Sequence, residues 1–366
     1  MPSNNRIILA AAGSGKTTTI VSEALDKKES RSALVTFTTK AESELRAKCY
    51  EIGGYVPEHV KPITWFTFLL RHFIRPYQRV MIEKRISGLN FVAGRSAKRV
   101  SKHKTIQYNT DGAGKVYSDK ISEMACTIIN KTKGASLKRA EQIFDRIYID
   151  EVQDLAAYDL DFIELLLGSS IEIVLVGDHR QATYKTNQSA RNKQHSGTNI
   201  ISKLTCWEKT YGASITIHNH SYRCVQPICD FADLFFPDAE PTISRNTHQT
   251  DHDGIFIVQE KDVGHYISRY RPQLLRYDKR TVINGAPVYN FGQCKGMTFN
   301  RVLIYPHGPL KKYLRTGKLG DAGKSVAKQY VAVTRARQSA AFVVPNTQVS
   351  SPIAGVSCFN FDNVSS

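Results

Sequence analysis

Residues 10–17 read Ala-Ala-Ala-Gly-Ser-Gly-Lys-Thr, and no other stretch of the 366 residues limits the fold as strongly. The apolar run Arg6-Ile-Ile-Leu-Ala-Ala11 precedes it and stops at Gly13 and Gly15. That pattern predicts a buried parallel strand entering a tight turn. A helix is expected from Lys16 towards Lys27, with Ile20, Val21 and Ala24 on its inner face. Glycines at such a turn let successive backbone N–H groups point inward around an anion, and the helix end adds a positive field. The strand, turn and helix together make a P-loop. Its cradle would run from Ala12 through Gly13, Ser14, Gly15, Lys16 and Thr17 to Thr18. Lys16 would reach the β and γ phosphates of a nucleotide, and the Thr17 hydroxyl would ligate Mg²⁺. Ala10 stands where the pattern usually has its first glycine.

Downstream, strands and helices alternate. Strands are expected at Ala33–Phe37, near Ile63, at Arg146–Asp150 and at Ile171–Gly177, and helices at Lys40–Tyr50, Trp65–Ile74 and Gln153–Leu167. This order predicts an α/β fold with a parallel, doubly wound sheet. After a polar stretch (186–203), a second set begins. It comprises strand Ser214–His218, helix Val225–Phe235, strand Gly254–Val258, a helix around Tyr266, strand Phe299–Tyr305, helix Gly323–Ala336 and strand Ser339–Val344. The length suits two domains. The boundary is placed near 212, giving domains 1–212 and 213–366, with a loosely packed polar tail at 345–366.

Lys and Arg (50) exceed Asp and Glu (33), a formal charge of +17, which suits a polyanionic partner better than a small metabolite. More than half of the excess lies in residues 79–142, with 14 Lys or Arg against 5 Asp or Glu, read as a basic helical insertion into the first domain. Seven scattered cysteines make no disulfide framework and fit a reducing compartment. No apolar run approaches the ~20 residues of a membrane span, and no signal peptide is legible, so a cytoplasmic protein without membrane contact is expected.

Three further clusters carry chemistry. Tyr148-Ile-Asp150-Glu151 ends a hydrophobic strand with paired carboxylates, at the strand end where ligands of parallel sheets bind. Asp150 can hold Mg²⁺ through water, and Glu151 can polarise the water that attacks the γ phosphate. Gly177-Asp-His-Arg-Gln181 closes a second such strand, and the Gln181 amide could reach the γ phosphate. In the second half, Arg223 and Arg335 are candidates for stabilising transition-state charge there. His218, His220, Cys224 and Cys229 lie close in sequence, but core cysteines explain them better than zinc.

The order of these motifs resembles that of the UvrD/Rep-type DNA helicases of the first helicase superfamily. Gly13–Thr17 looks like their motif I, Leu34–Lys40 like Ia, Thr64–Phe68 like Ib, Asp150–Asp154 like II and Gly177–Tyr184 like III. Ser221-Tyr222-Arg223 resembles motif IV, Lys295–Phe299 motif V and Val331–Ala336 motif VI. The resemblance implies two RecA-like P-loop domains, parallel sheets flanked by helices, with ATP between them and single-stranded DNA as partner. It implies catalytic roles for Lys16, Asp150, Glu151, Gln181, Arg223 and Arg335, with Mg²⁺ held at Thr17 and Asp150. Tyr222 would stack on adenine, and Arg223 and Arg335 would touch the γ phosphate. Phe37, Thr38, Thr64, Phe66 and Tyr184 fall where the family contacts the DNA strand.

The resemblance implies an ATP-dependent motor translocating 3′→5′ on single strands and unwinding DNA. The family's large inserted subdomains shrink here to 79–142 in the first half and are missing between Cys224 and Cys294 in the second. Thr186 replaces an aromatic residue common after motif III, and Phe66 a common histidine. The alternative is therefore a nucleotide-dependent DNA sensor or switch that recruits a partner nuclease of the overcoming-lysogenisation-defect (OLD) family in phage defence, as some short relatives do.

Overall fold

The computed structural model describes residues 4–184, 186–187, 189–283 and 287–360. Two compact units are formed. The first holds residues through Leu9, Lys16–His179 and Tyr184–Ile217; the second holds Ala10–Gly15, Arg180–Thr183 and the chain from His218 onward.

In the first unit, strands β1 (Arg6–Ala10), β2 (Ser32–Thr36), β3 (Val60–Thr64), β6 (Arg146–Ile149), β7 (Glu172–Gly177) and β8 (Ser214–His218) form one sheet, in the order β3-β2-β6-β7-β1-β8. Parallel pairing aligns Leu9 of β1 with Gly177 of β7 and Ile149 of β6 with Leu175 of β7, so the motif-bearing strand ends share one edge. Every residue of β2 is buried, as a strand covered on both faces requires. Helix α1 (Lys16–Asp26) buries Ile20, Val21 and Ala24. Helix α2 (Thr39–Gly53) follows β2, and α3 (Trp65–Phe68) follows β3 and runs into a π-helical turn at Leu69–Ile74. Trp65, Phe68, Phe73 and Phe162 pack at the core of this unit.

Two expectations change here. Ser214–His218, assigned to the second set, is the edge strand beside β1, where Ser214 N–H donates to Asn5 O at 3.0 Å. The preceding helix α8 (Ile200–Tyr211) buries Ile200, Leu204 and Trp207 in the first core, which returns the chain to that edge. The segment 79–142 is not a helical insertion throughout. Up to Lys120 it holds the short parallel strands β4 (Gly88–Asn90) and β5 (Lys115–Tyr117) and one short helix, α4 (Thr105–Asn109). Only then do α5 (Ile121–Lys131) and α6 (Ala135–Glu141) follow, and Ile121, Met124, Ala125, Ile128 and Ile129 belong to the core. The helix expected from Gln153 begins as α7 at Tyr158, because Ala157 takes a positive φ of 55° after a 3₁₀ turn at Val152–Asp154.

The second unit pairs β9 (His220–Ser221) with β10 (Ile243–Ser244) beside a six-stranded sheet. That sheet contains β11 (Gly254–Gln259), β12 (Gln273–Arg276), β13 (Val288–Asn290), β14 (Phe299–Tyr305), β15 (Ala336–Val344) and β16 (Val356–Phe359), in the order β13-β12-β14-β15-β11-β16. All its pairings are parallel. Helices α9 (Gln226–Asp233), α10 (Val263–Tyr270), α11 (Gly308–Thr316) and α12 (Val326–Val333) complete it. The helix expected from Gly323 starts three residues later, since Gly323 has a positive φ of 72°. The tail is not loose where described: Val356–Phe359 adds a strand to β11, and Ile353 and Phe359 are buried. Residues 361–366 of that tail lie outside the described residues. Both units thus have the parallel-sheet α/β architecture of RecA-like domains. No described helix is long and apolar enough to cross a membrane.

Candidate active site

The turn after β1 shows why glycine is needed at position 13. Its φ is +76°, and a Cβ there would meet Arg223 Cβ at 2.5 Å and Ser221 Oγ at 2.9 Å. Gly15 has a φ of +81°. Both values lie in the left-handed region that L side chains rarely enter. Within the second unit, Tyr222 N–H donates to Gly13 O at 2.9 Å, and Ser221 Oγ donates to Ala12 O at 2.7 Å. These bonds hold the turn against the Ser221–Arg223 segment. The buried Ser14 hydroxyl has no hydrogen-bond partner among the described residues. Lys16 and Thr17 are half-buried at the start of α1, and Thr18 is exposed. Tyr222 leaves 65 % of its surface exposed, so its ring face is accessible.

Arg223 and Arg335 form a second feature of the same unit. Burial, and then repulsion from the neighbouring Arg335 cation, pulls the Arg223 guanidinium down to about 10. Two neighbouring guanidiniums that repel each other suit an anion. Arg223 Nη1 donates to Thr334 O at 3.1 Å. Arg335 is almost wholly buried. Its Nε donates to Val331 O at 3.0 Å, its Nη1 to Met297 O at 3.3 Å and its Nη2 to Gln181 Oε1 at 2.9 Å. The structure therefore joins Gln181 to Arg335. The segment bearing Gln181 is anchored by Arg180, whose Nη1 meets Asp233 Oδ1 at 3.1 Å and Thr242 Oγ1 at 3.2 Å while its guanidinium covers Tyr330. Arg180 carries no separate signal in the sequence, because its partners come from α9 and the loop after it.

The first unit has its own carboxylate cluster. Asp150 continues the pairing of β6, its N–H donating to Val35 O at 2.9 Å, and its Oδ1 accepts from Glu151 N–H at 2.8 Å. Glu151 sits at φ 57° and ψ 41°, a conformation costly for a residue with a Cβ. Its carboxylate accepts from Gln153 Nε2, and Gln153 Oε1 accepts from Asp178 N–H at 3.1 Å. Gly177 leaves room for this bridge: a Cβ there would stand 2.2 Å from Gln153 Oε1. Gln153 thereby ties the ends of β6 and β7 together, a role visible only once the strands are neighbours.

The expected strand-contact residues divide. Phe37 is half-buried and Tyr184 is 47 % exposed. Thr38 and Thr64 are helix caps: their hydroxyls accept from Ala41 N–H at 3.1 Å and Thr67 N–H at 3.3 Å. Thr64 is buried, and so is Phe66, which packs edge-on between Phe37 (5.0 Å) and Phe91 (5.2 Å). Both therefore differ from the sequence expectation, since apolar and capping contacts cover them. Phe91, which the sequence reading passed over, is the exposed ring of this trio. Thr186 donates to Asp159, whose buried carboxyl also accepts from Trp65 Nε1 at 3.2 Å, Ser122 Oγ and Ala156 N–H. Burial raises the Asp159 pKa. Cys224 and Cys229 are buried, and the described residues hold no group of three His, Cys, Asp or Glu side chains fit to bind a metal.

The family model of the UvrD/REP helicase N-terminal domain matches residues 1–73 and 69–194, more than half of the chain. The chain belongs to the UvrD/REP helicase family. A search of the curated proteins finds no match. Similar solved structures include the helicase nonstructural protein 10 of an arterivirus in complex with DNA, at 15 % identity and a TM-score of 0.49, covering 94 % of this chain and 62 % of that one. The same arterivirus protein solved by itself is 14 % identical at a TM-score of 0.48, covering 94 % of this chain and 60 % of that one. The PRRSV helicase is 14 % identical at 0.46, covering 94 % and 53 %. The chain thus spans about three fifths or less of the length of these structures.

Proposed function

We propose that this UvrD/REP family member is an ATP-hydrolysing motor that translocates on single-stranded DNA, 3′→5′, and separates duplexes. The observation that carries the reading is the Arg335–Gln181 hydrogen bond together with the burial of Arg223 next to the Arg335 cation. In this reading the glycine turn and Lys16 bind the triphosphate, and Tyr222 stacks on the base. Thr17 and Asp150 offer a hydroxyl and a carboxylate, hard oxygen donors suited to Mg²⁺, which would neutralise phosphate charge when bound. Glu151 accepts the proton of the attacking water. Its bond from Gln153 fixes the carboxylate's direction. Arg223 stabilises the charge that develops on the γ phosphate. Arg335 already donates to Val331 O, Met297 O and Gln181 Oε1, and in this reading it turns to a phosphate oxygen by exchanging Gln181 for it. Released Gln181 then reports the state of the nucleotide to the adjoining segment, which ends at Tyr184.

A second reading, a nucleotide-dependent DNA switch that recruits a nuclease, is favoured by the span 224–294. Its described residues hold only core strands, helices and short connections. Strand displacement decides between the two. With ATP, the motor separates a duplex carrying a 3′ single-stranded tail and leaves the 5′-tailed duplex intact. Displacement of neither, with ATP turnover intact, would favour the switch.

A further inference from the structure

The strongest unassigned feature is Phe91. Of the exposed large apolar side chains among the described residues, it is the one phenylalanine, with 70 % of its surface in solvent. It follows β4 in the basic segment. The ring is not dangling: its edge contact with Phe66, centroids 5.2 Å apart at 89°, leaves a face outward. Neighbouring bonds fix the backbone around it. Val92 N–H donates to Ser118 Oγ at 3.2 Å, and the buried Ser96 donates through N–H (3.0 Å) and Oγ (2.5 Å) to the Asp119 carboxylate. Asp119 O in turn accepts from Asn187 Nδ2 at 3.0 Å, tying this loop to the stretch that follows Tyr184. Arg95, Lys98 and Arg99 are exposed within eight residues of the ring.

A fixed aromatic face beside clustered cations is the pairing that holds single-stranded nucleic acid, the cations taking phosphates and the ring a base. An apolar protein partner would gain nothing from the surrounding charge. Thr186, whose hydroxyl is committed to Asp159, offers no ring on its side of this surface. We infer that Phe91 is a base-stacking residue of this chain and that the loop 88–99 is a strand-binding element. The inference rests on the proposed nucleic-acid function and adds a contact to it. Because the loop is already ordered, stacking incurs little conformational cost, and every base has a face to offer, so sequence preference is weak.

The test is equilibrium binding of a fluorescent oligothymidine to the full chain and its variants. Stacking is worth ~1–3 kcal/mol per base, so Phe91→Ala should weaken binding about fivefold or more, with far-ultraviolet circular dichroism unchanged. Phe91→Leu, apolar without a π face, should lose nearly as much. Phe91→Trp should bind like the natural chain, with its added fluorescence quenched by the oligonucleotide. If the natural chain binds and Phe91→Ala or Phe91→Leu binds equally well, stacking at Phe91 is overturned and the motor reading stands. If the natural chain binds no oligonucleotide, the motor reading itself fails, and this contact with it.

Discussion

The two units repeat one architecture and carry opposite chemistry. Each has a parallel six-stranded sheet. In the first, the end of β6 leads into Asp150 and Glu151; in the second, Arg223 is buried and repelled by the neighbouring Arg335. The carboxylates follow the carboxyl end of β6, whereas Arg335 precedes the first residue of β15 and Arg223 follows the short strand β9, so one architecture places its charged groups at different points of the fold. Carboxylates suit water activation and a metal, and guanidiniums suit stabilisation of developing negative charge.

Removing either side should expose the contrast. Glu151→Gln takes the proton acceptor from the first unit and should lower kcat for ATP by about 10²–10⁴. Arg223→Ala takes charge stabilisation from the second and should lower kcat by about 10³ or more. Steady-state ATP turnover measures both. Retention of full activity by Arg223→Ala would leave the basic unit without a catalytic part and break the comparison.

A smaller effect tests where the units agree. Each buries a neutral histidine: His72 in the first, against Phe144, and His252 in the second, stacked between Phe256 and Tyr270. Burial, aided by nearby cations, lowers both to about 4. In the unfolded chain each titrates near 6.5. As pH falls from about 6.5 towards 4, the unfolded state gains protons that the folded state does not, so stability falls over that window. Above pH 6.5 the contribution is complete and flat. The expected loss is about 2 kcal/mol per histidine, read from urea midpoints between pH 7.5 and 4.5. His72→Phe and His252→Phe should each flatten the profile, and an unchanged slope in both would contradict it.

What could be read from the sequence was mostly what is local. Gly13 and Gly15 announce a turn because their conformations are forbidden to most residues, and Asp150 and Glu151 end a strand whose apolar run is continuous. Ser214–His218 was misplaced because an edge strand takes its identity from its neighbour β1, 200 residues away, and not from its own pattern. The tail strand Val356–Phe359 was missed for the same reason. At the site, Arg223 and Arg335 were visible through their motifs, whereas the Gln153 bridge and the Asp159 hub needed strand adjacency. Thr64 and Phe66 show the converse: their burial, one as a helix cap and the other between Phe37 and Phe91, comes from packing that the motif itself does not reveal.

The most direct measurement is ATP turnover by the full chain with and without single-stranded DNA at one salt concentration. The account predicts a rate raised roughly tenfold or more by the oligonucleotide, since the Gln181–Arg335 exchange links nucleotide chemistry to the strand-binding segment. A rate identical in its presence and absence, with DNA demonstrably bound, would contradict it.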